Sequence, residues 1–350
     1  MGKKRQFYGL DVLKFVMAVL VAARHMIQVF YPAESRWRLL IGSWLSNLAV
    51  PVFLVIAGFL LFRKIPEFDG TDRAKWRQAG WRTVSKYCVR ILKLYLLWCV
   101  LYWPIDLYNY VQGMESWQET VRHYIKSFFF SSTIAQLWYL PALLVACLMV
   151  WFFWAYGMRL WQMLIVTGLL FVAGCIGDNW YFNQQIPMKL QQVLFWYLEH
   201  FVTMRNGVFY GSFYVCLGLL FAQKKWRLPS LISAAGAILS IWLMYREVVR
   251  CSNTNMVFFA VPAAYFLMEF ALSLQWKDRN CYPRLRGMSE WIYLFHFYIF
   301  YIFSWTAKMN PIPLTERNIA LMVLIPLIAF SWCMVRLSEW KGFGWLKKMI

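Results

Sequence analysis

Acid is scarce in this chain. Asp and Glu number 16 against 36 Lys and Arg in 350 residues, and charged side chains of both signs make up only 15%. So few charges exclude a solvated, disordered or extended polar chain. Histidine occurs four times, in no arrangement that makes a plausible metal cluster, and no metal is expected. The eight cysteines (Cys88, Cys99, Cys147, Cys175, Cys216, Cys251, Cys281 and Cys333) stand singly, mostly inside apolar segments. No pair has CxxC spacing, so neither a metal knuckle nor a disulfide framework is supported; they read as small hydrophobes. No Gly-rich nucleotide loop is present, and Ser, His and Asp form no recognisable triad. There is no linker, low-complexity tract, second soluble domain or convincing internal repeat. The whole of 1–350 therefore reads as one transmembrane domain.

Apolar material is present in excess: 61% hydrophobic residues, with 21 Trp, 20 Tyr and 29 Phe. Soluble domains carry about half apolar residues, so the surplus must face lipid. Stretches such as 39–62 and 137–156 are long enough to cross a hydrocarbon core at about 20 residues. Their apolar runs are continuous rather than alternating, so helices are expected and a barrel is not. The predicted fold is an all-α bundle of about ten transmembrane helices: 8–31, 42–62, 87–111, 137–156, 160–177, 207–223, 229–245, 257–275, 291–309 and 319–337. A cleavable leader is not expected, because Asp11 and Lys14 interrupt the first apolar run and no small-residue cleavage site follows.

Charge placement sets the orientation. The formal net charge of +20 does not point to nucleic acid, since the basic residues gather in loops that alternate along the chain. With the N-terminus inside, 21 Lys and Arg fall on the cytoplasmic side, ten on the other and five within helices. That asymmetry obeys the positive-inside rule and places both termini in the cytoplasm. The longer outer segments, 112–136 and 178–206, mix aromatic with polar residues and read as interfacial helices or loops, where a polar ligand would enter.

Ionisable groups inside a lipid span are costly and commonly mark a functional path. The first helix carries Asp11, Lys14, Arg24 and His25. Lys14 and His25 are eleven residues apart, three turns plus about 20°, so they share one face about 16 Å apart along the axis. That shared face favours a functional reading of His25 as general base over a packed, neutral imidazole. Asp11 lies one turn from Lys14 and could pair with it, fixing helix depth by snorkelling. Arg24 points about 100° away from His25, to anchor another helix or reach the outer interface. In the third helix Lys86, Arg90 and Lys93 fall at i, i+4 and i+7. They are either positive-inside anchors or a cradle for a phosphate-bearing ligand. His296 is a second deep histidine, in packing or in cavity lining; His123 and His200 read as surface residues. Asp106 and Glu269 are left undecided.

These residues also resemble the membrane acyltransferase-3 family. Gly9-Leu-Asp11-Val-Leu-Lys14-Phe with His25 is similar to that family's signature first helix. Asn47-Leu-Ala-Val-Pro51-Val-Phe53 with Ala57-Gly58-Phe59 resembles its second, 86–98 its basic third and Leu137-Trp138-Tyr139-Leu140 its fourth. Arg205-Asn206-Gly207 and Tyr293-Leu-Phe-His296 resemble later landmarks. The resemblance implies transfer of an acyl group, usually acetyl, from cytosolic acetyl-CoA or another acyl-CoA. The acceptor would be a hydroxyl of an extracytoplasmic carbohydrate or other cell-envelope molecule, with the protein multi-pass in a bacterial cytoplasmic membrane. It implies catalytic roles for His25 and Lys14, and acyl-CoA binding by Arg90 and Lys93 with Lys86. Trp138, Tyr139 and Trp180 would suit stacking on sugar, or form an ordinary interfacial belt. Two rivals remain: a transporter or flippase for a lipid-linked glycan, against which stands the lack of repeated halves, and a non-catalytic membrane partner.

Overall fold

A computed structural model describes residues 7–112, 116–130, 132, 134–178, 187–201, 203–250, 255–279, 281–309 and 315–350. Among these the regular structure is entirely helical. The helices are α1 (Tyr8–Phe30), α2 (Ala49–Phe62), α3 (Arg73–Gln112), α4 (Trp117–Phe130), α5 (Tyr139–Ala155) and α6 (Leu160–Asp178). After them come α7 (Met188–Phe201), α8 (Ser212–Gln223), α9 (Ser230–Arg250), α10 (Ala260–Ser273), α11 (Cys281–Met309) and α12 (Glu316–Ser338). Wider helical turns lead into α2 over Arg38–Trp44 and into α8 over Gly207–Gly211, and a tight 3-10 segment, Lys341–Lys348, follows α12.

Six helical stretches are long and apolar enough to cross a membrane: Tyr8–Phe30, Arg38–Phe62, Arg73–Ile105, Leu160–Asp178, Ser230–Arg250 and Glu316–Ser338. Three shorter apolar helices, Tyr139–Ala155, Gly207–Gln223 and Ala260–Ser273, accompany them. The outward faces are apolar: Val100, Leu231, Ile238 and Trp305 are each more than two-thirds exposed. In water that surface would be a liability; in lipid it is the solvent-facing side. Hydroxyls within the helices return to their own backbone, as Thr167 does to Met163 O at 2.7 Å and Ser331 to Leu327 O at 2.7 Å. Such back-bonding satisfies a polar group where no water is available. The chain is a multi-pass membrane protein.

The chain divides into two compact units. The first comprises Met1–Phe53, Trp226–Val249 and Phe259–Ile350. Its core is made by α1, α11 and α12. Met26, Ile27 and Tyr31 pack with Phe300, Phe303, Ile319 and Val323, and Ala18 and Ala22 meet Ile292 and Leu327. Two alanines one turn apart let α1 lie close against its neighbours. The start of α1 is pinned too. A Cβ on Gly9 would sit 2.1 Å from Ala271 O, and Tyr8 donates its hydroxyl hydrogen bond to Asp278. At the other end Arg38 caps α1, its Nη2 donating to Gln28 O at 3.1 Å and Tyr31 O at 2.8 Å. A guanidinium is well suited to satisfy the last carbonyls of a helix.

The second unit comprises Leu54–Lys225 and Arg250–Phe258. Here α3 packs on α5, and α5 and α6 pack on the Gly207–Gln223 helix. Backbone approaches backbone where Gly58 meets Gly218. A Cβ on either would lie 2.5 Å from a carbonyl oxygen of the facing helix, Val215 O or Val55 O. Helix α3 runs 40 residues, well beyond the expected 87–111. Its first turns are polar and hold one glycine, Gly80, where a Cβ would meet the Trp151 ring at 2.1 Å, and the helix runs on through it ahead of its apolar section. Pro104 lies within it without ending it. Helix α4 falls inside an expected outer segment. Of the cysteines, Cys88, Cys99, Cys147, Cys175 and Cys216 are buried, Cys281 and Cys333 are exposed, and no disulfide joins these seven; Cys251 lies outside the described residues.

Candidate active site

The first unit gathers the polar residues of α1. Asp11 is buried and meets Arg286 of α11, Nε to Oδ1 3.4 Å apart. The expected partner Lys14 therefore shares that carboxylate's neighbourhood with a guanidinium from a helix far along the chain. Lys14 is half-buried. Because α1 is a continuous helix through both positions, Lys14 and His25 hold the common face that their spacing dictates. Arg24 turns away and anchors the approach to α2, its Nη1 donating to Asn47 Oδ1 at 2.7 Å and to Ser46 Oγ at 3.4 Å. The motif residue Asn47 thus holds its neighbour helix in place.

His25 does not stand alone. Its half-buried ring stacks on that of His296 from α11, centroids 5.4 Å apart and planes 18° apart. Phe297 leans on both rings, at 5.2 Å from His25 and 4.8 Å from His296, and Phe300 meets the edge of His296 at 5.4 Å. His296 has no solvent exposure. Its Nδ1 lies 2.9 Å from Tyr293 O and 3.1 Å from Ile292 O. An imidazole is chemically able to take up a proton or to act as a nucleophile, and here two lie together in an aromatic setting. The sequence marked each histidine separately. Their meeting depends on α1 pairing with α11.

Lys86, Arg90 and Lys93 are all exposed on α3. The buried seam of that helix is Cys88, Ile91, Tyr95, Trp98 and Tyr102. Lys86 and Arg90 each sit about 200° around from Cys88, so the stripe faces away from that packed seam. Exposed Val89 and Leu92 flank it. Exposure of all three is what either expectation, positive-inside anchoring or a phosphate cradle, requires.

A polar cluster lies in the second unit where two sequence landmarks meet. The Arg205 guanidinium stacks over Trp138 at 4.5 Å and donates to Asn255 Oδ1 at 3.2 Å. Asn206 caps the following helix, accepting from Val208 N at 2.9 Å and Phe209 N at 3.1 Å, and donates to Tyr197 Oη at 3.0 Å. Gly207 is required beside it, since a Cβ would come 2.5 Å from Ala142 O. Trp138 thus carries the Arg205 guanidinium over its ring.

The remaining candidates separate cleanly. Glu269 is fully buried and accepts from Leu228 N at 3.3 Å, a structural use at the start of the α9 connection. His200 is exposed, its Nδ1 2.7 Å from Trp196 O. The side chains of Asp106 and His123, and the whole of Trp180, lie outside the described residues. Among the described residues no group of three His, Cys, Asp or Glu is arranged to hold a metal.

A family model described as an acyltransferase domain, acyltransferase-3, matches residues 7–336. The chain is 24% identical over 341 residues to an "Amino-acid racemase" of Enterococcus faecalis, covering 93% of this chain and 45% of that protein. It is 25% identical over 333 residues to a "Serine/alanine racemase" of Enterococcus gallinarum, covering 92% and 45% respectively. The chain spans less than half the length of these curated relatives, and racemisation is a name given to those longer proteins. No solved structure matches the chain.

Proposed function

The chain belongs to the acyltransferase-3 family, and from that premise we propose that it is a membrane-embedded O-acyltransferase. It moves an acyl group, acetyl by preference, from cytosolic acyl-CoA to a hydroxyl of an extracytoplasmic carbohydrate or cell-envelope molecule. In this reading the chain works as one transmembrane domain of ten spans with both termini in the cytoplasm of a bacterial cell. The observation that carries it is the His25–His296 imidazole pair, 5.4 Å apart, with Lys14 on the same face of α1 as His25. An imidazole near neutrality is the side chain best suited to accept a hydroxyl proton or to hold an acyl group.

The remaining roles follow from charge. Acyl-CoA is polyanionic at its nucleotide end, and Arg90 and Lys93, with Lys86, hold its phosphates. Lys14 supplies positive charge on the face of α1 that bears His25. Such charge favours the negative oxygen that develops on the acyl carbonyl. The reaction leaves CoA as thiol and the acceptor as ester, and needs no metal.

Protein reconstituted in liposomes with labelled acetyl-CoA and an envelope-glycan extract tests this reading. Arg90→Gln and Lys93→Gln should each raise the KM for acetyl-CoA about tenfold with kcat retained, as loss of a charge-assisted phosphate contact requires. His25→Ala and Lys14→Ala should lose kcat instead. Wild-type rates from both α1 variants would defeat the assignment. Movement of unmodified glycan without acyl-CoA would favour the transporter reading.

A further inference from the structure

His296 has its two ring nitrogens in different circumstances. Nδ1 faces two backbone carbonyl oxygens, Tyr293 O at 2.9 Å and Ile292 O at 3.1 Å. Carbonyl oxygens only accept, so Nδ1 carries the hydrogen, and the neutral ring keeps its lone pair on Nε2. That Nε2 is buried and meets no hydrogen-bond partner among the described residues. The near-parallel ring of His25 presents its face, so the two imidazoles do not bond in plane. Phe297 and Phe300 close other sides with apolar rings. A buried acceptor left unmet costs about 1–3 kcal/mol.

We infer that His296 takes the proton of the acceptor hydroxyl through Nε2, which assigns to His25 the task of holding the acyl group. The inference rests on the acyltransferase reading above and divides the chemistry of that site. In the first half, a nitrogen of His25 bonds to the acyl carbon and the carbon–sulfur bond breaks. The proton lost by the His25 ring goes to the thiolate, releasing CoA as thiol. In the second half, the acceptor oxygen bonds to the acyl carbon while its proton passes to Nε2 of His296. The carbon–nitrogen bond breaks, and the proton returns from His296 to the nitrogen of His25. While His296 is cationic, its Nδ1–H remains on two carbonyl oxygens that stabilise the charge.

The test separates the halves. Wild type, His25→Ala, His296→Asn and His296→Phe are mixed with acetyl-labelled acetyl-CoA and an envelope-glycan extract, then rapidly quenched, and label is followed on protein and on glycan. Asn keeps a donor for the two carbonyls but has nothing at the Nε2 position, and Phe fills the aromatic enclosure. Both His296 variants should transfer to glycan about 100-fold more slowly, the usual worth of a positioned base. They should also accumulate label on the protein that hydroxylamine releases. His25→Ala should show neither. Transfer within about threefold of wild type by either variant overturns the inference. So does loss of transfer without protein-bound label in a variant whose elution and melting match wild type. If one variant does not fold, the other decides. If wild type labels neither protein nor glycan with any acyl-CoA, the proposed function itself falls, and this inference with it.

Discussion

Replacing Gly218 by alanine probes the tightest helix crossing of the second unit. The added Cβ would stand 2.5 Å from Val55 O, 2.6 Å from Phe59 N and 2.7 Å from Gly58 Cα. All three are backbone atoms of one helix, so no side chain can rotate away. Relief requires α2 and α8 to part by roughly half an ångström or more along their contact, loosening a dispersion-held seam in a medium without a hydrophobic drive between helices. Overpacking of this kind costs about 1–3 kcal/mol. Alanine returns up to about 1 kcal/mol of helix propensity over glycine; contact with fixed backbone puts the clash at the upper end of that range, so the net loss is about 1–2 kcal/mol. For a chain of this size the melting point should fall by roughly 1–3 °C. A thiol-reactive fluorogenic dye can report melting in detergent, because Cys147, Cys175 and Cys216 are fully buried in the same unit. Gly342→Ala is the control, with nothing within 4 Å of its Cβ. Gly58→Ala should cost a similar amount, and the double variant less than the sum, since both relieve by one separation. A Gly218→Ala protein melting at or above wild type would refute the close-approach account.

Other perturbations read other parts of the structure. Arg24→Gln should lower stability by about 1.5–3 kcal/mol, because Asn47 and Ser46 lose a charged donor; thermal melts of Arg24→Gln and Arg24→Lys should place the lysine between it and wild type. Asn206→Ala should cost about 1–2 kcal/mol as a lost helix cap. Asn206→Asp, which keeps the acceptor for Val208 N and Phe209 N, should recover most of it in the same melt. Glu339 accepts from Arg284 at 2.9 Å, and that hydrogen bond holds its carboxyl below the ordinary 4.5. A lowered folded-state value means the pair's contribution is present above the ordinary carboxylate range and lost as pH falls through the lowered value. The pair is exposed, so Glu339→Gln should shift melting only slightly at neutral pH, and the difference should vanish in acid or high salt.

Much of the membrane architecture was legible because lipid enforces it. Continuous apolar runs located α1, α5, α6 and α8 to within a few residues, and the 100° offset of Arg24 left it to anchor another helix or reach the outer interface, of which its bond to Asn47 is the first. Polar extensions were not legible by that logic. Residues 73–86 are helical without being apolar, so α3 begins a full fourteen residues before the expected 87. Likewise α11 starts at Cys281 through Arg284 and Arg286, whereas hydropathy points to 291. The basic stripe of Lys86, Arg90 and Lys93 was readable from spacing alone; its position opposite the buried seam required knowing which face α5 covers. His25 was singled out by sharing a face with Lys14, but its partner was not. Residues 25 and 296 are brought together by the packing of α1 on α11, a long-range pairing that periodicity within either helix does not encode. The Arg205–Trp138 stack is hidden for the same reason.

The most direct measurement uses inside-out membrane vesicles supplied with acetyl-CoA labelled in its acetyl group, comparing wild type with His25→Ala. Label appearing on extracted envelope glycan in wild type, and absent with a normally inserted His25→Ala protein, is the predicted result. Equal labelling of glycan by both proteins would contradict the central role given to the α1 histidine. Absence of labelling by wild type with acetyl-CoA and with longer acyl-CoAs, in vesicles shown to hold acceptor, would contradict the acyltransferase account itself.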